Sequence, residues 1–121
     1  MSAGAWLALV VLGGAGAVLR YAVGNCFERV ARTRFPFGTF AINIGGAFAL
    51  GILAGAHASD TALFIAGTGL IGSFTTFSTW VFETQRLAEV GARSAAAWNI
   101  ALSLAAGLAA AGLGWALAAG L

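Results

Sequence analysis

The residues able to do chemistry in this chain are few, and they sit among apolar ones. Thr39 and Asn43 are spaced i, i+4, as are Asn99 and Ser103, so each pair shares one helix face. The run Thr75-Thr76-Phe77-Ser78-Thr79-Trp80 packs four hydroxyls into six residues, with Phe77 and Trp80 on a common face. Amide N–H groups, hydroxyls and the positive edge of an aromatic ring suit a small anion. A path for cations would show carboxylates, and the set contains none. The plainer reading is that these groups bond to the carbonyl four residues earlier or to a neighbouring helix, at about 0.6 kcal/mol each. Arg20 is the one charge well inside an apolar stretch. It reads either as an electropositive site that draws an anion inward or as an arginine snorkelling to the interface.

Catalysis finds no support. A single histidine, His57, has no Cys, His or carboxylate constellation around it, and neither a nucleophile triad nor a phosphate loop is present. The lone cysteine, Cys26, allows no intramolecular disulfide. We therefore expect no enzyme.

The elements that must position these donors follow from composition. Of 121 residues, 60% are hydrophobic and 8% are charged, against ~25% charged in soluble domains, so the surface cannot face water throughout. The charges fall at Arg20, from Glu28 to Arg34, at Asp60, and from Glu83 to Arg93. Four apolar stretches separate them, about 5–27, 37–56, 61–82 and 94–121, each near or above the ~20 residues a membrane-crossing helix needs. No alternation of the kind a β-barrel requires is present. The reading is an all-α membrane protein, one domain of four transmembrane helices over 1–121, multi-pass in the cell membrane. Arg20 near the far end of the first stretch, and the spans that follow, argue against a cleaved leader.

Four spans place both termini on one side. Arg29, Arg32, Arg34, Arg86 and Arg93 all fall in the first and third loops, whereas the N-terminal segment, the 57–60 turn and the C-terminal end carry no Lys or Arg. The positive-inside rule then makes those two loops cytoplasmic. Topology accounts for the net charge of +2 better than nucleic acid does, and no nucleic-acid partner is expected. Glycines are numerous, 18 in all, and allow close helix approach, with Gly51 and Gly55 a small-xxx-small pair.

Several segments carry a resemblance. Gly13-Gly14-Ala15-Gly16-Ala17 leading to Arg20-Tyr21, Pro36-Phe37-Gly38-Thr39 with Asn43 and Gly46, and above all Gly72-Ser73-Phe74-Thr75-Thr76-Phe77-Ser78-Thr79 stand in order across the first three spans. In these the chain resembles the Fluc or CrcB-type fluoride channels of microbes. The resemblance implies passive fluoride export, and so fluoride resistance, by an antiparallel dual-topology dimer with two pores and a broken third helix. It places the break at Gly72 to Thr75, and the carbonyls of Gly72 and Thr75 around a structural Na+ on the dimer axis. It implies a fluoride path past Asn43, with Phe77 and Trp80 offering ring edges and Thr39, Thr79 and Ser103 completing a polar track. Relatives usually carry phenylalanine at the position of Trp80, glycine at that of Ser73, and often tyrosine at that of Asn99. Independently, 121 residues in four helices are too few to enclose a pore, so an oligomer is expected.

Two rival readings remain. Five arginines on one side should fix one orientation, which suggests half of a heterodimer whose paralogous partner has inverted topology, with one degenerate pore. A small four-helix drug/proton antiporter would need a membrane-embedded carboxylate. The first span has none, and Glu83 and Glu89 are expected in a polar loop.

Overall fold

The computed structural model describes residues 1–121 and contains helices and turns, with no strand. Its four long helical segments are Ala3–Val30, Phe37–Gly55, Asp60–Glu89 and Arg93–Ala119, each long and apolar enough to cross a membrane. Ser2 caps the first by accepting the Ala5 N–H at 3.1 Å, and Ser59 caps the third by accepting that of Ala62 at 3.2 Å. Gly120, at φ 79°, closes the fourth in the left-handed conformation common after a helix end.

The third span runs past the expected end at Phe82 to Glu89, so Glu83, Arg86 and Glu89 are helical rather than looped. Glu, Gln, Arg, Leu and Ala are good helix formers, and Leu87 in this stretch is buried. The first span similarly continues through Glu28 and Arg29 to Val30. Charge marks where the hydrocarbon ends, not where the backbone stops coiling.

Packing pairs the first span with the N-terminal half of the third, and the second with the fourth. In the second pair, Gly51 lies against the Ala111 backbone, Gly55 against that of Trp115, and Gly114 against Phe48 and Ile52. Backbones meet because Cβ atoms are missing, the small-residue contact that drives association in lipid. A Cβ at Gly51 would overlap the Ala111 carbonyl and stand 3.0 Å from its Cα, atoms that cannot turn aside. Gly51→Val is therefore expected to destabilise the protein by ~2 kcal/mol or more, read as earlier loss of helicity on heating in detergent. Gly14, with nothing within 4 Å, is the control: Gly14→Ala should cost nothing and slightly favour the helix.

The third span is not uniform. Residues Leu63–Ile71 form wide π-helical turns, Gly72–Phe74 a last α-turn, and the chain then leaves helical geometry at Thr75, with ψ 163°, before coiling again at Ser78. The break is thus at 75–77, overlapping the expected Gly72 to Thr75 at Thr75 and extending two residues beyond it. Glycines do not make it. Gly67, Gly69 and Gly72 are all helical, and the break lies where side chains of other spans offer partners to the backbone.

Only 13 of 121 residues are buried, and exposed Leu, Val, Phe and Trp cover the outside. That surface belongs in lipid or against another chain. The molecule is a multi-pass membrane protein.

Candidate functional site

A helix broken inside a membrane leaves backbone groups without partners, and in hydrocarbon each costs several kcal/mol. The sequence supplies replacements from two other spans. Asn43 on the second span accepts the Thr76 N–H at its Oδ1 (2.9 Å) and donates from Nδ2 to the Thr76 carbonyl (2.8 Å). One carboxamide thus stands in for both helical neighbours of Thr76. Arg20 on the first span donates from Nη1 to the Thr75 carbonyl at 3.0 Å. Gly46 lacks the Cβ that would overlap the Thr75 methyl, so the second span admits the break at close range.

Thr76 also restarts the helix. Its Oγ1 accepts the Thr79 N–H at 3.2 Å and lies 3.1 Å from the Thr79 hydroxyl, the geometry of a side-chain cap. Because the Thr76 and Thr79 N–H groups are directed to side chains, the carbonyls of Gly72 and Thr75 lose their usual helical donors. Two oppositely polarised helix ends therefore face each other across 75–77. The carbonyls ending the first half carry partial negative charge and suit a cation. The N–H groups opening the second half suit an anion. Arg20 already places one cation on the Thr75 oxygen.

The other hydroxyls divide. Ser73 bonds back to the Gly69 carbonyl at 2.7 Å and Thr75 to that of Ile71 at 3.0 Å, so local back-bonding accounts for these two, whereas Thr84, which donates to the Trp80 carbonyl at 2.8 Å, also accepts from the fourth span. Thr39, buried, donates instead to Glu83 Oε1 at 2.8 Å, while Glu83 Oε2 is enclosed with no partner. The donor set is therefore not free of acid. Glu83 was hidden from the sequence reading by its assignment to a loop, although its i, i+4 spacing from Thr79 placed it on one helix face with that residue. Thr39, Thr79 and Glu83 share an open cavity of about 670 Å³ with Arg32, Arg34 and Arg86. It is a mixed-charge mouth at the end of the bundle where the first and third loops lie.

Of the two rings, Phe77 is 73% exposed and turned away from the bundle. Trp80 is half-buried and meets it in a tilted edge contact, 5.6 Å between centroids at 63°. Ser103 lies beyond, 3.5 Å from Asn99 Oδ1, and Asn99 is fully buried. The structure thus brings Arg20, Asn43 and Thr75 together at the break, Thr39 and Thr79 at the mouth, and Ser103 with Asn99 behind Trp80. Sequence reasoning missed Glu83 and also Thr84, whose hydroxyl accepts from Asn99 Nδ2 at 2.8 Å.

Residues 7–115 match the family model described as CrcB-like protein, Camphor Resistance (CrcB). A protein of Mycobacterium tuberculosis named Fluoride-specific ion channel FluC 2 is 47% identical over 109 residues, covering 90% of this chain and 86% of the relative. In Frankia casuarinae a protein named Fluoride-specific ion channel FluC 1 is 43% identical, covering 93% of this chain and 95% of its own length. One of the same name in Streptomyces avermitilis is 44% identical over 110 residues. With a match that runs through all four spans and the broken segment, the chain belongs to the CrcB family.

Proposed function

We propose that this chain is a subunit of a fluoride-selective channel that lets fluoride leave the cell passively. The observation that carries the reading is the break at 75–77. A helix N-terminus, the Asn43 amide and an outward-facing Phe77 ring converge at mid-membrane, where a dehydrated small anion needs donors in place of water. The path runs from the arginine-lined mouth past Thr39 and Thr79 to Asn43, Phe77 and Trp80, with Ser103 beyond. The family comparisons support fluoride as the ion, since the relatives cited bear it in their names.

One side of this path is missing in a single chain. Phe77 lies open, with Phe82 58% and Tyr21 73% exposed as well, a face that a second subunit, of opposite topology on the family reading, would cover to complete the wall. The Gly72 carbonyl, released from its helical donor, and the second lone pair of the Thr75 carbonyl, whose other lone pair accepts from Arg20, are the groups that would hold a structural Na+ between subunits. Oxygen dipoles at a helix C-terminus fit a hard cation. The ion would add positive field beside the anion path.

Fluoride efflux from liposomes containing the purified chain tests the function directly. Fluoride should leave under its own gradient, with chloride held back. Retention of fluoride both by the chain alone and after co-reconstitution with an inverted paralogue would sink the assignment.

A second reading concerns the partner. Arg29, Arg32, Arg34, Arg86 and Arg93 all lie at one end of the bundle, which favours one orientation and hence a heterodimer with a paralogue. Cysteine labelling of both termini, after Cys26 is replaced, should find one orientation predominant when the chain is expressed alone. Equal populations in the two orientations would rule the heterodimer reading out.

A further inference from the structure

Trp80 is tied to one residue of the fourth span, Asn99, directly at its indole and through Thr84 at its carbonyl. Its indole Nε1–H donates to the Asn99 backbone carbonyl at 3.3 Å. The Asn99 side chain donates from Nδ2 to the Thr84 hydroxyl at 2.8 Å, and that hydroxyl donates to the Trp80 carbonyl at 2.8 Å. The three residues close a hydrogen-bonded ring between the third and fourth spans, with Asn99 0% exposed at its centre. Such a ring is cooperative, and in a low-dielectric interior it resists the loss of any member.

We propose that Asn99 and Thr84 are positioning residues that lock the Trp80 indole with its N–H turned into the fourth span, so that only C–H edges and ring faces remain for the ion path. The inference rests on the fluoride reading above. Its physical content is a matter of donor strength. An indole N–H is a full hydrogen-bond donor, and fluoride is the halide that accepts most strongly. A free N–H beside the path would hold the ion where conduction requires that it leave. With the N–H satisfied by Asn99, the indole offers the same weak electropositive edge that Phe77 offers beside it, at 5.6 Å between centroids. Tryptophan can then serve where a ring without a donor would otherwise be needed.

The test uses Thr84→Val, which keeps the shape and removes the hydroxyl that links the Asn99 side chain to the Trp80 carbonyl, in the Trp80 protein and in Trp80→Phe, each reconstituted in liposomes. In the Trp80 background Thr84→Val should slow fluoride efflux by about tenfold, whereas in the Trp80→Phe background, where no N–H needs tying, the change should stay under about twofold. Thr84→Ser, which restores the hydroxyl, should recover the Trp80 rate. In parallel, hydrogen exchange of the Trp80 indole N–H, followed by NMR on indole-labelled protein in micelles, should be accelerated by Thr84→Val.

Equal losses in both backgrounds, or no loss in either, overturn the role in conduction while leaving the channel reading intact. Unchanged exchange at the indole N–H overturns the lock itself. A wild-type protein whose indole N–H is protected but which passes no fluoride overturns the channel reading, and the proposal with it.

Discussion

Asn43→Ala is expected to lower fluoride efflux by at least about a hundredfold, because it removes two things at once. The carboxamide is the only partner seen for both the N–H and the carbonyl of Thr76, at 2.9 and 2.8 Å. Two unsatisfied backbone groups at mid-membrane cost ~1–3 kcal/mol each, enough for the break to rearrange. The second loss is the amide donor itself, which the path needs in place of water. Asn43→Asp separates the two. Its carboxylate still accepts the Thr76 N–H but cannot donate to the carbonyl, and it sets a negative charge beside an anion path. That charge keeps the flux of Asn43→Asp low whichever role the amide has, so the brace is read from stability: with the Thr76 N–H still paired, helicity on heating should survive more fully in Asn43→Asp than in Asn43→Ala, while flux stays low in both. Efflux and thermal melting on the same preparations give the comparison. Wild-type flux in Asn43→Ala would remove the residue from both roles.

The existence of four membrane helices was legible because it rests on the largest signal a sequence can carry, four long apolar stretches whose transfer from water dominates every other term. Their ends were less legible. Glu83, Arg86 and Glu89 looked like loop residues by charge, yet they continue the third helix, since helix propensity does not stop at the hydrocarbon boundary. That one displacement hid the Thr39–Glu83 hydrogen bond. It also removed one of the arguments against an antiporter, which now fails on family membership instead. The break also reaches two residues beyond its expected span, for a different reason. Glycine content says where a helix can be interrupted cheaply, but Asn43 and Arg20 decide where the interruption is satisfied, and both come from other spans. Contacts across spans are not written in local pattern. Thr84 was the exception that could have been found, four residues after Trp80 on the same face.

The second large effect concerns Phe77, where structure and function should come apart. At 73% exposure its ring contributes little to holding this chain together, and Phe77→Ile keeps an apolar side chain for whatever covers that face. Helicity and thermal stability should therefore change by less than about 0.5 kcal/mol, the usual range for a surface substitution. Flux should not follow. An aliphatic side chain has no electropositive rim, and a dehydrated fluoride beside it would lose a contact of ~1 kcal/mol or more, the scale of aromatic edge interactions, in a place where water cannot make good the loss. We expect fluoride efflux to fall at least about fivefold in liposomes, with chloride still excluded. Phe77→Tyr, which keeps a ring, should fall less. The exposure that makes the substitution harmless to the fold is also what makes it informative. A ring with no part in the single chain's core would be retained for what meets it from outside, the ion and the second subunit. Unchanged flux in Phe77→Ile would leave the ring as interface packing alone, and would move the anion's donors to Asn43 and the hydroxyls on its own side of the break.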